Sequence, residues 1–152
     1  AAFELRAVQS GDRFIAAVTQ LHPTHPMVVH FPIALTGAAF LFILLAWWRK
    51  NPTLELAAFA NIVLAAISTV AAGVTGMMDN IKNYEGEAPN ADVKLILAML
   101  LLLLTAGISI VRYRNPQIFS TGNRALYTAA YGLSFLIAFT LAFLGGVILY
   151  GF

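Results

Sequence analysis

Four long apolar stretches, separated by short polar links, dominate the pattern of the chain. They run over about residues 27–48, 56–78, 93–111 and 126–150. An α-helix needs about 20 mainly apolar residues to cross a bilayer core of about 30 Å. Consecutive spans joined by short links run in opposite directions. The pattern therefore predicts an all-α membrane protein, an antiparallel bundle of four transmembrane helices.

A lead-in of mixed polarity precedes the first span. Within residues 1–21, apolar side chains recur at helical spacing at Phe14, Ile15, Val18 and Leu21. This periodicity predicts a short N-terminal amphipathic helix, lying on the membrane surface or packed on the bundle. The chain is thus divided into a lead-in over 1–21 and a membrane domain over 22–152.

The polar links carry signals for helix ends. Thr53 is expected to cap the second helix, with Glu55 in its first turn. Residues 79–92 form the longest polar stretch and predict a loop. Asn90 is expected to cap the third helix, and Pro116 to follow its end.

Composition and charge narrow the classes of function. The 152 residues are 60% hydrophobic and 11% charged, with a net charge of +2 and no cysteine. Such a chain is bounded mainly by lipid and has no basic surface suited to nucleic acid. The absence of cysteine excludes disulfides and thiolate chemistry within it. No catalytic constellation is visible, and spans two to four lack a central charge, which argues against an enzyme and against an ion transporter.

Basic residues are concentrated beside the links that follow the first and third spans. Those residues are Arg49, Lys50, Arg112, Arg114 and Arg124. Positively charged short links usually remain in the cytoplasm. Both termini and the acidic loop are therefore expected on the outer side of the membrane.

All three histidines, His22, His25 and His30, lie at the start of the first span. The antiparallel order puts further candidate supporting residues at the same end of the bundle. These are Gly76, Asp79, Gly145 and Gly146.

Imidazole is a common ligand of haem, chlorophyll and transition metals, and ionisable groups inside a span are costly. His30 is about one turn inside the apolar zone, and Ala34, Gly37 and Ala38 follow near its face. These small residues are expected to leave room for a flat ring or for another helix. The candidate cofactors are haem b, a chlorophyll-type pigment or a quinone, with His30, His25 and His22 as cofactor-binding residues. His25 and His30 are too close in sequence to hold opposite faces of one haem easily.

Two other interpretations of the histidines remain open. A zinc or copper ion can take imidazole and carboxylate ligands, which are available at His22, His25, His30 and Asp79. Alternatively the histidines are structural, with their rings bonded to loop carbonyls or to Asp79 at a proline-shaped helix entry.

The stretch His25-Pro26-Met27-Val28-Val29-His30-Phe31-Pro32-Ile33-Ala34 resembles the opening motif of a bacterial family of small four-span membrane proteins of unknown function. Gly76 with Asp79, and Gly145-Gly146 before Tyr150, match its other conserved positions. The resemblance covers roughly Leu21 to the C-terminus. Many members also carry a histidine near the start of span three, where this chain has Ala91-Asp92-Val93-Lys94.

Members of that family lie beside, or are fused to, Rieske and cytochrome domains. The resemblance therefore implies an accessory subunit of a bacterial electron-transfer complex, respiratory or photosynthetic, in the inner membrane. Its partners would be the bilayer, other membrane subunits and a periplasmic redox protein. The missing histidine near Val93 weakens a bis-histidine haem site between helices one and three. A cofactor-free structural or assembly subunit and a small metal-binding membrane protein are the alternatives.

Overall fold

A computed structural model describes residues 24–150 of the protein, with side chains from His25 to Gly146. Four long α-helices make up most of this part of the chain. They are α1 (Thr24–Arg49), α2 (Pro52–Tyr84), α3 (Ala91–Arg114) and α4 (Arg124–Tyr150), with a short 3-10 turn at Ile118–Ser120. Each of the four is long and apolar enough to cross a membrane. The four-helix membrane bundle predicted from the sequence is confirmed, whereas the N-terminal amphipathic helix falls outside the described residues.

The helices close into a ring in chain order. Each helix packs against its two neighbours, and the contact between α1 and α2 is the most extensive. Small residues permit close helix approach in lipid. Gly37 of α1 lies under the ring of Phe135, and Gly132 of α4 lies under the ring of Phe40. The two phenyl rings stack with their centroids 6.1 Å apart, so α1 and α4 interlock reciprocally.

The hydrophobic core is concentrated toward one end of the bundle, the end at which one link joins α1 to α2 and another joins α3 to α4. We call this the arginine end, and the opposite end, which holds the start of α1, the histidine end. The core cluster comprises Ala39, Ile43, Ala58, Ile62, Ile108, Ile118, Tyr127 and Tyr131. Because these buried side chains are concentrated there, the arginine end is the better packed of the two.

The second helix is longer than the sequence pattern predicted. It continues for six residues beyond position 78 and ends at Tyr84, so the loop shrinks to residues 85–90. No glycine or proline interrupts residues 79–84, and the chain turns only at Glu85 (φ 52°) and Gly86 (φ 90°). The Asn80 side chain then accepts a hydrogen bond from the Ala88 backbone at 2.9 Å. A polar segment that the sequence suggested as a loop is therefore helical and supports the turn after it.

The predicted cap at Thr53 was wrong, whereas Asn90 holds the N-cap position of α3 as predicted. Asn51 caps α2, because Pro52 occupies the first helical position and Thr53 donates its backbone N–H to the Asn51 side chain at 2.8 Å. Asn90 adopts a left-handed conformation (φ 57°) and makes no capping bond through its side chain. The first turn of α3 therefore has no hydrogen bond from the Asn90 side chain, and the helix follows directly on the turn at residues 85–90.

Candidate functional sites at the two ends of the bundle

His25 is held inside the bundle at the histidine end. Its ring is half-buried, and Nδ1 lies 3.2 Å from the Thr75 hydroxyl oxygen of α2. The ring covers Gly76 so closely that a Cβ added there would be 2.7 Å from His25 Cε1. Gly76 is therefore a place where only hydrogen leaves room for the imidazole. His25 serves as a contact between α1 and α2.

His30 lies on the outer face of the same helix and is exposed. Its Nδ1 is bonded to the backbone carbonyl oxygen of Pro26, one turn earlier. A carbonyl oxygen only accepts hydrogen bonds, so Nδ1 carries the proton and Nε2 of a neutral ring keeps a lone pair. No described side chain or backbone group bonds to Nε2. A histidine that ligates a metal through one ring nitrogen usually donates the N–H of its other ring nitrogen to a carboxylate or a backbone carbonyl, as His30 does here.

The space beside His30 differs from the expected recess. Gly37, predicted to leave room for a flat ring, is filled by Phe135. Met27, Phe31 and Ala34 are exposed and share the face of His30 at helical spacing. Ala34, one turn further along α1, is the small residue of this exposed face.

The other predicted supporting residues do not contact His25 or His30, the two histidines that the structure describes. The carboxylate of Asp79 accepts a hydrogen bond from the Asn83 side chain at 2.6 Å. No hydrogen bond joins Asp79 to either of the described histidines. Gly145 and Gly146 lie within α4, and a Cβ at either would meet nothing within 4 Å. Residue His22 lies outside the described part of the chain.

The described residues hold no group of three His, Cys, Asp or Glu side chains that is suitable for a metal ion. A site that includes His22 is not tested by this finding. The three-histidine metal site stays a prediction.

A buried ion pair at the arginine end was not predicted. Glu55 of α2 is 4% exposed. Its carboxylate receives two hydrogen bonds from Arg112 of α3, Nε to Oε1 at 2.6 Å and Nη2 to Oε2 at 2.8 Å. Such a two-pronged guanidinium–carboxylate contact is among the strongest hydrogen-bonded pairs in proteins. It joins the start of α2 to the end of α3.

Two tyrosines of α4 extend the ion pair toward the middle of the bundle. The Tyr127 hydroxyl donates to Glu55 Oε1 at 3.2 Å. It also lies 2.9 Å from the Tyr131 hydroxyl, which is fully buried. The carboxylate thus has partners on both α3 and α4, and a polar network crosses the best-packed part of the core.

Arg124 makes a second connection at this end. Its guanidinium lies 4.2 Å from the ring centre of Trp47 and 4.8 Å from that of Phe119. It also donates to the Trp47 carbonyl oxygen at 3.2 Å. These cation–π contacts join the start of α4 to the end of α1 and to the 3-10 turn.

A sequence signal for the ion pair existed. Glu55 is the one acidic residue beside the basic cluster of that end, and the antiparallel order brings the start of the second span next to the end of the third. When a single acidic residue lies at one helix end and an arginine lies at the neighbouring helix end, the two side chains are expected to form an ion pair. Its burial is not readable from the pattern, because Glu55 also fits a solvated first-turn position.

Four membrane-crossing helices in one bundle define the class of the molecule: it is a multi-pass integral membrane protein. Residues 21–151 match the DUF2231 family, whose members are described as predicted membrane proteins, and the chain belongs to this family. Comparisons with curated proteins and with solved structures give no significant match. The family resemblance predicted from the sequence is confirmed at this level, that of a membrane-protein family of unknown function.

Proposed function

We propose that the protein is a membrane-embedded accessory subunit of a bacterial electron-transfer complex, in which His30 ligates a haem b or a chlorophyll-type pigment. The observation that carries the proposal is the state of the His30 ring. Its Nδ1 is tied to the Pro26 carbonyl, the ring is exposed, and Nε2 has no partner among the described groups. A polar nitrogen on the outer surface of a membrane helix is costly unless something binds it.

The position of His30 suits a tetrapyrrole at the edge of the hydrocarbon core. It follows the start of α1 by six residues, which is about 9 Å along the helix axis. Phe31 and Met27 flank it and are both more than 60% exposed. These apolar side chains and the small, exposed Ala34 suit the face of a flat macrocycle. A single axial ligand also agrees with the absence of histidine at Ala91–Lys94.

The proposal assigns different roles to the two described histidines. His25 is already bonded to Thr75 and packed on Gly76, so we assign it a structural role. A second axial ligand, where a haem needs one, would come from a partner subunit or from His22. The quinone interpretation has less support, because a quinone needs a donor and the His30 Nδ1 proton is already used by Pro26.

Visible absorption tests the ligand assignment. The whole chain in lipid nanodiscs is titrated with haemin, and the Soret band is recorded for the wild type, His30→Ala and His25→Ala. We expect His30→Ala to abolish the shifted Soret band of the ligated haem, and His25→Ala to retain it, because only His30 offers a free ring nitrogen. A repeat with zinc chlorin tests the pigment alternative in the same proteins.

Identical titrations of the wild type and His30→Ala would contradict ligation by His30. Loss of the band in His25→Ala alone would move the ligand to the inner histidine. Thermal melting of each variant, measured in the same nanodiscs, distinguishes loss of a ligand from loss of the fold.

A cofactor-free structural or assembly subunit is the second candidate. It is favoured by the use of His25 as an internal contact and by the Glu55–Arg112 pair, which joins α2 to α3. A wild-type chain that binds neither haemin nor zinc chlorin would support this candidate. Zinc and copper binding to the whole chain, with and without His22 and His25, tests the metal-binding alternative.

We further propose that the arginine end faces the cytoplasm of a bacterial inner membrane and the histidine end faces the periplasm. Basic short links favour this orientation. The chain contains no cysteine, so single cysteines report their own position. In intact cells, Glu87→Cys should react with a membrane-impermeant maleimide, whereas Gly122→Cys should react only after lysis. The opposite pattern would reverse the proposed topology.

A further inference from the structure

A cleft at the arginine end opens beside the buried ion pair. It has a volume of about 370 Å³ and lies between the starts of α2 and the 3-10 turn. Its polar lining includes Thr53, Gln117 and Ser120, together with the paired side chains of Glu55 and Arg112. Leu56 forms part of its apolar lining. A ligand in this cleft would therefore meet hydroxyl and amide groups as well as the guanidinium.

The ion pair leaves mainly hydrogen-bond donors for such a ligand. Both Glu55 oxygens are occupied, Oε1 by Arg112 and Tyr127 and Oε2 by Arg112. Arg112 donates to Glu55 only through Nε and Nη2. Its other terminal nitrogen, Nη1, has no hydrogen-bond partner among the described groups. A guanidinium nitrogen only donates. The free donor of Arg112 and the hydroxyls of Thr53 and Ser120 suit an anionic, oxygen-rich group.

A second, apolar groove of about 370 Å³ lies further along the seam between α2 and α3. It is lined by Phe59 and Val63 from α2 and by Ser109, Ile110 and Tyr113 from α3. The Ser109 hydroxyl donates to the Thr105 carbonyl oxygen at 2.7 Å, so the groove offers no free polar side chain at that position. Ile110 and Tyr113 are more than half exposed, which places the groove on the outer surface of the bundle.

The cleft and the groove follow one another along the same helix face. On α2, residues 52, 56, 59 and 63 recur every three or four positions. Arg112 connects the two, because its guanidinium lies 5.4 Å from the ring centre of Phe59. Together the cleft and the groove extend over about 16 Å along α2, from residue 52 to residue 63.

Aromatic and basic residues place the cleft at the level of the lipid headgroups. Trp48 and Tyr113 are 76% and 81% exposed at this end, as expected for an interfacial aromatic belt. The basic residues here outnumber the acidic ones, with Arg49, Lys50, Arg114 and Arg124 in addition to the Glu55–Arg112 pair. A polar cleft surrounded by an excess of basic residues, which continues into an apolar groove, has a shape and charge that suit an amphiphile with an anionic head.

We propose that this seam is a binding site for one acidic phospholipid, with its phosphodiester in the cleft beside Arg112 and an acyl chain in the groove over Phe59 and Val63. The excess of positive charge favours an anionic headgroup over a zwitterionic one. The groove favours a lipid over free phosphate, which has no apolar part to fill it. The proposal is independent of any cofactor at His30.

Native mass spectrometry of the whole protein tests the site. The detergent-solubilised chain is titrated with phosphatidylglycerol, with phosphatidylcholine, or with inorganic phosphate, and the retained molecules are counted. We expect one tightly held phosphatidylglycerol and weaker retention of the other two. Gln117→Glu puts a like charge into the cleft and should weaken phosphatidylglycerol binding about tenfold. Val63→Phe fills the groove and should weaken both phospholipids.

Two matched variants serve as controls. Asn123→Asp makes the same amide-to-acid change at the same end outside the cleft lining. Val70→Phe adds a ring on the exposed surface of α2, away from the groove. Both should bind phosphatidylglycerol as the wild type does. Equal retention of phosphatidylglycerol and phosphatidylcholine, or equal weakening by Gln117→Glu and Asn123→Asp, would overturn the proposal.

Discussion

Replacing Glu55 by glutamine is expected to lower the free energy of unfolding by about 3 kcal/mol, since removal of one partner of a buried ion pair leaves an uncompensated charge. The Glu55 and Arg112 side chains are only 5% and 15% exposed. The guanidinium would lose both charged hydrogen bonds, and the Tyr127 hydroxyl would lose its carboxylate acceptor. The residual exposure of Arg112 places the effect at the lower end of the usual range.

The effect should exceed that of an ordinary surface charge. Arg114→Gln, two residues after Arg112 and exposed, removes a positive charge from the same helix end and is expected to change stability by less than about 0.5 kcal/mol. The measurement is reversible unfolding in mixed micelles with increasing SDS, followed by circular dichroism.

A double-mutant cycle separates the pair from its surroundings. In Glu55→Gln/Arg112→Gln no buried charge remains, so the double variant should be more stable than the sum of the two single losses predicts. Additive losses would show that the two side chains are not energetically coupled. Equal, small losses in Glu55→Gln and Arg114→Gln would contradict burial of the pair.

Replacing Gly76 by alanine is expected to destabilise the histidine end by about 1–2 kcal/mol. The new methyl group would lie 2.7 Å from His25 Cε1, inside van der Waals contact. The imidazole must then move away, and it loses its contact with the Thr75 hydroxyl. The lost bond and the strained packing add to one another, because both act on the same ring.

Gly73→Ala is the matched control for this substitution. It is the same change three residues earlier in α2, and a Cβ there meets nothing within 4 Å. Alanine is the better helix former, so Gly73→Ala should leave stability unchanged or raise it by up to about 1 kcal/mol. Unfolding of both variants is compared under the same micelle conditions.

Removal of the imidazole should relieve the clash. Gly76→Ala combined with His25→Ala is expected to be less destabilised than the two single losses added together. If Gly76→Ala and Gly73→Ala behave alike, the close approach of His25 to α2 is not a feature of the folded protein.

The sequence pattern was sufficient for the number, type and order of the membrane helices. Long uncharged stretches have few alternatives in a bilayer, where each backbone polar group needs an internal partner. The pattern was less informative at helix ends. Residues 79–84 are polar and yet continue α2, because polarity marks the end of the lipid and not the end of the helix.

The candidate sites were less predictable than the fold. The sequence placed the histidines at one end of the bundle, but it does not distinguish His25, turned toward Thr75 and Gly76, from His30, turned outward five residues later. Five residues on a helix amount to about 500° of rotation, so the two rings cannot share a face. Which face the neighbouring helix covers depends on packing.

The sequence by itself determined that this protein is a four-span membrane bundle with its histidines at one end and Arg49, Arg112, Arg114 and Arg124 at the other. Only the tertiary structure decided which of those residues meet. Glu55 and Arg112 are 57 positions apart, and Glu55 and Tyr127 are 72 apart. Each of the three is also compatible with a place at a membrane–water boundary. Their burial together follows from the antiparallel packing of α2, α3 and α4, which no local pattern encodes.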